Sequence, residues 1–138
     1  TEAEYEFAAR GKTAGARYGA LDAIAWYADN SGKDRIDSAA ILRAEAKSFG
    51  QRISANANGP KPVALKEPNA FRLYDMLGNV WEWTADRFAD YGGAPAAGDF
   101  RVLRGGSWWS HPREVRASAR LKLQPGQKNI NYGFRCAR

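Results

Sequence analysis

Cysteine and histidine are almost absent from this chain, which has one of each in 138 residues, Cys136 and His111. A lone cysteine excludes an intrachain disulfide and any redox chemistry that needs two thiols of one chain. A lone histidine excludes zinc, copper or iron sites built from several imidazoles. No apolar run approaches the roughly 18 residues of a membrane-spanning helix, so we expect a soluble protein without a membrane partner.

A concentrated block of charge is also missing. Lysine and arginine number 21 against 15 acidic residues, which gives a formal net charge of +6. Such a balance can favour anionic partners. The basic residues are scattered, however, with no run of five or six like charges and no nucleic-acid-binding motif. We therefore expect no nucleic-acid partner.

Apolar and aromatic residues are abundant. They make up 44% and 12% of the chain, respectively, which is typical of a folded protein because disordered chains contain few aromatics. The length suits one hydrophobic core. We expect a single domain over residues 1–138.

The helix and strand patterns are few and short. Thr1-Glu-Ala-Glu is a capping-box pattern, which predicts a helix over Glu2–Arg10 ended by Gly11. A second helix is expected from Asp37 or Ser38 to Gly50, where glycine would stop it. Strands are predicted at 101–104, at 115–121, where apolar and polar residues alternate, and at 132–137.

The stretch from Asn69 to Trp83 is the densest apolar segment, and we expect it to form core. Burying each large apolar side chain stabilises a fold by about 1.5–3 kcal/mol. Glu82 lies between Trp81 and Trp83, where a carboxylate is costly unless a positive group faces it. That group is either an arginine or a metal ion.

Four segments in this order resemble the signature blocks of the formylglycine-generating enzyme, or sulfatase-modifying-factor, domain. They are Thr1–Gly11, Leu73–Trp83, Arg104–Trp108 and Gly133–Arg135. The resemblance implies an α+β class: a variant C-type-lectin-like fold with low regular secondary structure, a small twisted antiparallel sheet and a few short helices.

The same resemblance implies a structural calcium ion. In the family, the block matching Leu73–Trp83 wraps Ca²⁺, which would here use the side chains of Asp75 and Glu82 and the carbonyls of Gly78 and Val80. Carboxylates and carbonyls are the oxygen ligands that calcium prefers. The alternative is that Asp75 caps a turn and Glu82 pairs with an arginine such as Arg116 or Arg120.

The chain departs from the family at its redox site. Formylglycine-generating enzymes use two cysteines just beyond the Gly-Gly-Ser block to bind copper, and those positions are Ser110 and Val115 here. Neither residue supplies the thiolate that copper(I) needs. We expect no copper and no formylglycine-generating activity. Cys136, in the last predicted strand, is expected to be a small buried hydrophobe.

Two further departures concern layout. The Thr-Glu-Ala-Glu helix, which lies midway through the family's domain, stands at the start of this sequence. We expect apolar surface left uncovered as a result, and hence self-association or a separate partner segment. The segment from Asp37 to Gly50 resembles an insertion in a normally short connection.

The function expected is that of a non-catalytic module that binds a ligand or another protein, because loops on a rigid base carry recognition. Candidate binding residues mix aromatic and adaptable polar groups. They are Trp109, Ser110, His111, Arg113, Asn129, Asn131 and Tyr132. An alternative is a remnant or substrate-wall subunit of a family oxidoreductase of the iron-dependent sulfoxide synthase type, which would need a separate N-terminal part.

Overall fold

A computed structural model describes residues 1–94 and 96–137. Its elements are α1 (Glu2–Arg10), α2 (Leu21–Ile24), α3 (Ser38–Glu45), a 3₁₀ turn (Ala46–Ser48), α4 (Phe49–Ala55), β1 (Trp81–Arg87), β2 (Arg101–Arg104), β3 (Arg120–Leu123) and β4 (Tyr132–Gly133). Long irregular segments join these short elements. The expected class, α+β with low regular secondary structure, is confirmed.

Helix α1 has the bounds that its capping box predicted. The Thr1 side chain accepts from the Glu4 amide, and the Glu4 side chain bonds back to the backbone of Thr1. Gly11 ends the helix in the left-handed conformation with φ of 54°, which glycine adopts without steric cost. Local sequence therefore determines both ends of this helix.

The prediction of the second helix is wrong at the C-terminal end. Asp37 caps α3 as expected, accepting from the Ala40 amide, but Gly50 lies inside α4 instead of stopping the helix. Ile53 of α4 is wholly buried in a cluster with Ala28 and Trp108. Packing of this kind outweighs the helix-breaking tendency of one glycine, which is only about 1 kcal/mol.

The four strands form one mixed sheet in the order β3-β2-β1-β4. β1 pairs antiparallel with β2, and β2 with β3, whereas β4 runs parallel to β1. The sheet was expected to be antiparallel throughout. The difference arises because the chain leaves β3 at one edge and crosses to the other edge, where β4 runs in the same direction as β1.

The predicted strand at 115–121 is mostly turn. β3 begins only at Arg120, although Val115, Ala117 and Ala119 are buried in the alternating manner expected. The Ala119 amide donates to the Arg116 carbonyl across a turn. The alternation of apolar and polar residues over 115–121 therefore reflects alternating burial and not strand pairing. The last predicted strand likewise shrinks to Tyr132–Gly133.

The core consists of three packed clusters. The first joins α1, α2, Met76 and Leu77; the second surrounds Trp108; and the third lies on the sheet around Trp81 and Leu103. The stretch from Asn69 to Trp83 is core from Asp75 onward, as predicted, whereas Tyr74 within it is 39% exposed. None of the helices in the described part has the length and apolar character needed to cross a bilayer.

Several large apolar side chains remain exposed. They include Val63, Leu65, Ile130 and Phe134. The expected self-association stays a prediction, and these are side chains that it could cover.

Helix α1 is attached to the sheet by a buried arginine. The Arg104 side chain has no exposed area, and its Nη1 donates to Glu2 Oε1 at 2.9 Å. Its Nη2 donates to Glu6 and to the Ala117 carbonyl. Burial acts to raise the pKa of Glu6, but hydrogen bonds from Arg10 and Arg104 outweigh it, and the net shift is downward.

Replacing Arg104 by methionine should destabilise the fold by about 3 kcal/mol. The loss lies at the low end for a buried ion pair because Glu2 and Glu6 keep Arg120 and Arg10, respectively. Urea unfolding at pH 7 measures it. Arg87→Met is the control, since Arg87 lies 3.9 Å from Asp99 with both side chains exposed and should cost less than about 1 kcal/mol. Equal losses in the two variants would contradict the role of Arg104.

Candidate functional site

A double-glycine turn after β2 begins the region where the family's redox site is expected. Gly105 and Gly106 have φ values of 96° and 80°. A side chain on Gly105 would lie 2.5 Å from the Tyr5 hydroxyl, and one on Gly106 would lie 3.1 Å from Val115. Only glycine satisfies both the left-handed backbone and the close packing. The turn leads from β2 directly into residues 107–115.

The two positions expected to hold a cysteine pair are filled by structural side chains. Ser110 is only 2% exposed, and its hydroxyl accepts from the Ser107 amide at 3.3 Å. Its carbonyl accepts from the Ala28 amide at 3.0 Å. Val115 is wholly buried in the main core cluster. Both positions therefore serve packing and loop geometry.

Cys136 does not behave as predicted. It is a free and exposed cysteine, not a buried one. The chain leaves the sheet after Gly133, and Phe134 beside it is 77% exposed. Cys136 lines a hollow of about 600 Å³ together with Tyr5 and Met76, and neither Ser110 nor Val115 lines it.

The residues predicted to bind a ligand separate into two groups. In the first, Trp109 is half-buried, with its ring edge-on to Phe49 at 6.0 Å and to Trp108 at 5.4 Å. His111 and Arg113 follow it on the same loop and line a cleft against α3. Ser110, which was placed on this surface, is buried and bonded internally.

The second group lies by the edge strand β4. Asn129 is exposed, and the Asn131 side chain donates to Ser107 Oγ at 3.4 Å. Tyr132 packs edge-on against Trp83 with ring centres 6.4 Å apart. Trp108 connects the two groups, since its indole nitrogen donates to the Ile130 carbonyl at 3.5 Å.

The loop after Trp109 is held against the core by Arg17. Its Nε donates to the Val115 carbonyl at 2.8 Å, and its Nη2 donates to the Pro112 carbonyl. Because Arg17 comes from far along the sequence, the loop position depends on tertiary structure. The loop therefore has a defined place relative to α3.

The positive group that faces Glu82 is an arginine. Arg135 Nε and Nη2 donate to Glu82 Oε2 and Oε1 at 3.0 and 2.9 Å, in a bidentate pair. Burial raises the pKa of Glu82, and the bonds from Arg135 offset this only in part. Burial acts to lower the pKa of Arg135, but the hydrogen bonds to Glu82 together with the charge of Glu82, Tyr5 and Asp75 outweigh it, and the pKa rises. Of the two arginines suggested from sequence, Arg120 pairs with Glu2 instead.

Comparison with known proteins identifies the family. The profile of the sulfatase-modifying factor enzyme 1-like domain matches residues 1–138. The chain belongs to this family.

Several relatives of the sulfatase-modifying-factor domain span the whole chain. This chain is 34% identical to a serine/threonine-protein kinase pkn1 of Chlamydia pneumoniae, and the match covers 100% of this chain and 20% of that protein. It is also 34% identical to the inactive C-alpha-formylglycine-generating enzyme 2 of Mus musculus, over 99% of this chain and 41% of the relative. The formylglycine-generating enzyme of Streptomyces coelicolor is likewise 34% identical, over 99% of this chain and 45% of the relative.

Solved structures share the fold. Treponema denticola variable protein 1 aligns with a TM-score of 0.73 and 33% identity, over 97% of this chain and 44% of that chain. PvdO from Pseudomonas aeruginosa aligns with a TM-score of 0.70 and 27% identity, over 97% of this chain and 49% of that chain. The chain thus spans less than half the length of these relatives and structures.

The oxygen atoms that the family resemblance assigns to calcium are largely available. Asp75 Oδ2 accepts from the Ala64 amide at 2.7 Å, but Asp75 Oδ1 is buried and has no hydrogen-bond partner. Within residues 1–94 and 96–137, the carbonyls of Gly78 and Val80 accept no hydrogen bond from turn, loop or side-chain groups. Asp75, Val80 and Glu82 line one cavity of about 190 Å³.

This donor set fits a hard cation. The described residues contain no cluster of three or more His, Cys, Asp or Glu side chains that could hold a metal, so carbonyls would have to complete the coordination. Calcium accepts such mixed oxygen ligands. Arg135 already occupies both oxygens of Glu82, and it would have to release one of them.

Two contacts were not predicted from sequence. The first is the pairing of Arg135 with Glu82, because the two residues lie 53 positions apart, although Arg135 belongs to the Gly-Phe-Arg block. The second concerns Arg43, which lines the cleft with His111 and Arg113 and had no signal, since it lies on a segment that resembles an insertion.

Replacing Arg135 by methionine should destabilise the fold by about 2 kcal/mol at pH 7, because a pair with one partly exposed partner contributes less than a fully buried one. The pKa of Glu82 is already raised and should rise further without its partner. A carboxyl with a raised folded-state pKa regains stability as pH falls. The difference in the free energy of unfolding between the variant and the unsubstituted protein should therefore shrink from pH 7 to pH 5, as urea unfolding would measure.

The double variant Arg135→Met with Glu82→Gln is the matched control. It removes the unpaired charge, so it should recover part of the loss at pH 7 and lose the pH dependence. A deficit that is the same at both pH values would mean that Glu82 does not depend on Arg135.

Proposed function

We propose that this chain is a non-catalytic sulfatase-modifying-factor domain that binds a ligand or another protein and does not generate formylglycine. The observation that carries the proposal is the state of the two implied cysteine positions. A buried, hydrogen-bonded serine occupies one, and a core valine occupies the other. The scaffold around them is otherwise the family's own.

The chemistry supports this reading. Cysteine oxidation by this family depends on a thiolate pair that binds copper(I), and neither a hydroxyl nor an isopropyl group is a soft ligand. Cys136 supplies one thiol, and it lines a separate hollow. A single thiol cannot replace the pair.

The binding role rests on the loop around Ser110, the first of the two implied cysteine positions. Trp109, His111 and Arg113 present an aromatic ring, an imidazole and a guanidinium on a loop that Arg17 holds to the core. Recognition residues of this mixture are common on loops carried by rigid folds. A relative that is itself named inactive, at 34% identity, is consistent with a family member that works without the oxidase reaction.

The purified chain, incubated with copper, oxygen and a cysteine peptide of the sulfatase type, should leave the peptide unchanged in mass. A formylglycine-generating enzyme such as that of Streptomyces coelicolor is the positive control. Any copper(I) retained by the chain should disappear in Cys136→Ser, since Cys136 is its single cysteine. Conversion of the peptide by the purified chain would overturn the proposal.

We further propose that the same domain holds a structural calcium ion through Asp75, Glu82 and the carbonyls of Gly78 and Val80. The unpartnered Asp75 Oδ1 supports this. So do the carbonyls of Gly78 and Val80, which accept no hydrogen bond from turn, loop or side-chain groups of the described residues, although only Val80 lines the cavity of the two carboxylates. The ion would supply positive charge for two carboxylates in one small cavity. Its role would be to hold the 75–82 turn, not to take part in a reaction.

Excess Ca²⁺ should raise the melting temperature relative to EGTA, because a ligand that binds only the folded state stabilises it, by about 2.7 kcal/mol at a hundredfold excess over Kd. Asp75→Asn should abolish the calcium-dependent shift. Asp34→Asn, which changes an exposed aspartate, should retain it. An unchanged melting temperature in Ca²⁺ and EGTA would show that Arg135 alone neutralises Glu82.

A further inference from the structure

We infer that the cleft between α3 and the 111–113 loop binds a small organic oxyanion, a carboxylate or a phosphate monoester, through Arg43 and Arg113. The inference rests on the proposed binding function and names the chemical class of its ligand. Nothing in the family resemblance assigns a role to Arg43.

The cleft is small and has a mixed lining. Its volume is about 250 Å³, and its walls are Ala39, Leu42 and Arg43 from α3 with His111 and Arg113 from the loop. Pockets for drug-sized ligands are usually about 300–1,000 Å³. The space therefore suits a compact ligand.

The two guanidinium groups are unengaged. Within residues 1–94 and 96–137, no carboxylate lies within salt-bridge distance of Arg43 or Arg113, and neither guanidinium donates a hydrogen bond to the protein. Several other arginines are used structurally, whereas the exposed Arg52 and Arg72 are also outside the ion pairs of the described residues. Arg35, Arg104, Arg120 and Arg135 all donate to carboxylates.

Two like charges that line one cleft repel each other, and no carboxylate of the described residues lies within salt-bridge distance of either guanidinium. Glu114 lies beside the cleft, with its Oε1 3.9 Å from His111 Nε2. An oxyanion between the two guanidinium groups would convert that repulsion into attraction. Guanidinium groups bind carboxylate and phosphate oxygens through paired N–H donors. Two such groups from opposite walls would grip one anionic group from both sides.

His111 offers a third donor. Its Nδ1 accepts from the Arg113 amide at 3.3 Å, so the hydrogen of the neutral imidazole is on Nε2. The nearest acid is Glu114, whose Oε1 lies 3.9 Å from Nε2, beyond hydrogen-bond distance. Nε2–H is therefore available to a ligand oxygen.

Both walls are anchored to the core. At the start of α3, the Ser38 amide donates to Asp29 Oδ1 at 3.0 Å, and Asp37 caps the helix. On the other wall, Arg17 donates to the Pro112 and Val115 carbonyls. A site held on both sides loses little conformational entropy when a ligand binds.

The apolar side chains of Ala39 and Leu42 define the rest of the ligand. They form part of the α3 wall and would contact a short hydrocarbon or aromatic group. The ligand class is thus a compact acid with one oxyanionic end and one apolar end.

The test is an NMR titration of the full chain at constant ionic strength near 0.15 M, where diffuse surface attraction is screened. The probes are benzoate and phenyl phosphate, with benzamide as the neutral analogue. Saturable shifts at the amides of residues 39–43, 111, 113 and 114 with either anion support the site, and the tighter probe identifies the preferred anionic group. Benzamide should produce no saturable shift.

Arg43→Gln and Arg113→Gln should each weaken binding about tenfold or more, the size expected for losing hydrogen bonds to a charged group. Arg72→Gln, at an exposed arginine outside the cleft, is the matched control and should bind as the unsubstituted chain does. Unshifted amides elsewhere in each spectrum confirm folding.

The inference is overturned if neither anion shifts these amides, if benzamide binds equally well, or if Arg72→Gln weakens binding as much as the cleft variants do. The peptide-oxidation assay tests the proposed function separately. Loss of the anion site would leave the non-catalytic assignment standing, whereas peptide conversion would remove that assignment whatever the titration shows.

Discussion

The buried guanidinium of Arg104 is the contact on which the arrangement of the other elements depends. It lies at the end of β2 and donates at once to Glu2 and Glu6 of α1 and to the Ala117 carbonyl. A charge with no exposed area is tolerated only when acids surround it. Helix, sheet and the turn-rich segment before β3 are thereby held together at one point.

The turn that begins beside Arg104 also positions the family's redox region. Gly105 packs against the Tyr5 hydroxyl, and Gly106 packs against Val115. At the two positions where the family resemblance implies a cysteine pair, this chain has the bonded hydroxyl of Ser110 and the packed side chain of Val115. The two glycines and the ion pairs of Arg104 hold this region without a thiol at either position.

Positive charge in this fold has two distinct uses. Arg104 and Arg135 neutralise buried or half-buried acids, and Arg17 bonds carbonyls of a loop. Arg43 and Arg113 remain unengaged at the surface of a cleft within the described residues. The first group explains how a loop-rich chain stays ordered, and the second gives the surface an electrostatic preference for small anions.

The sequence alone determined features that arise within a few residues: the capping box and Gly11 of α1, the strand that ends at the double glycine, and the serine and valine at positions 110 and 115. It also determined the family. These follow from local hydrogen bonding and from residue chemistry. Tertiary structure decided what spans the chain. It paired Arg135 with Glu82, included Gly50 in α4, exposed Cys136 and placed α3 beside His111. These outcomes depend on which distant surfaces pack together, and the local sequence pattern does not encode that.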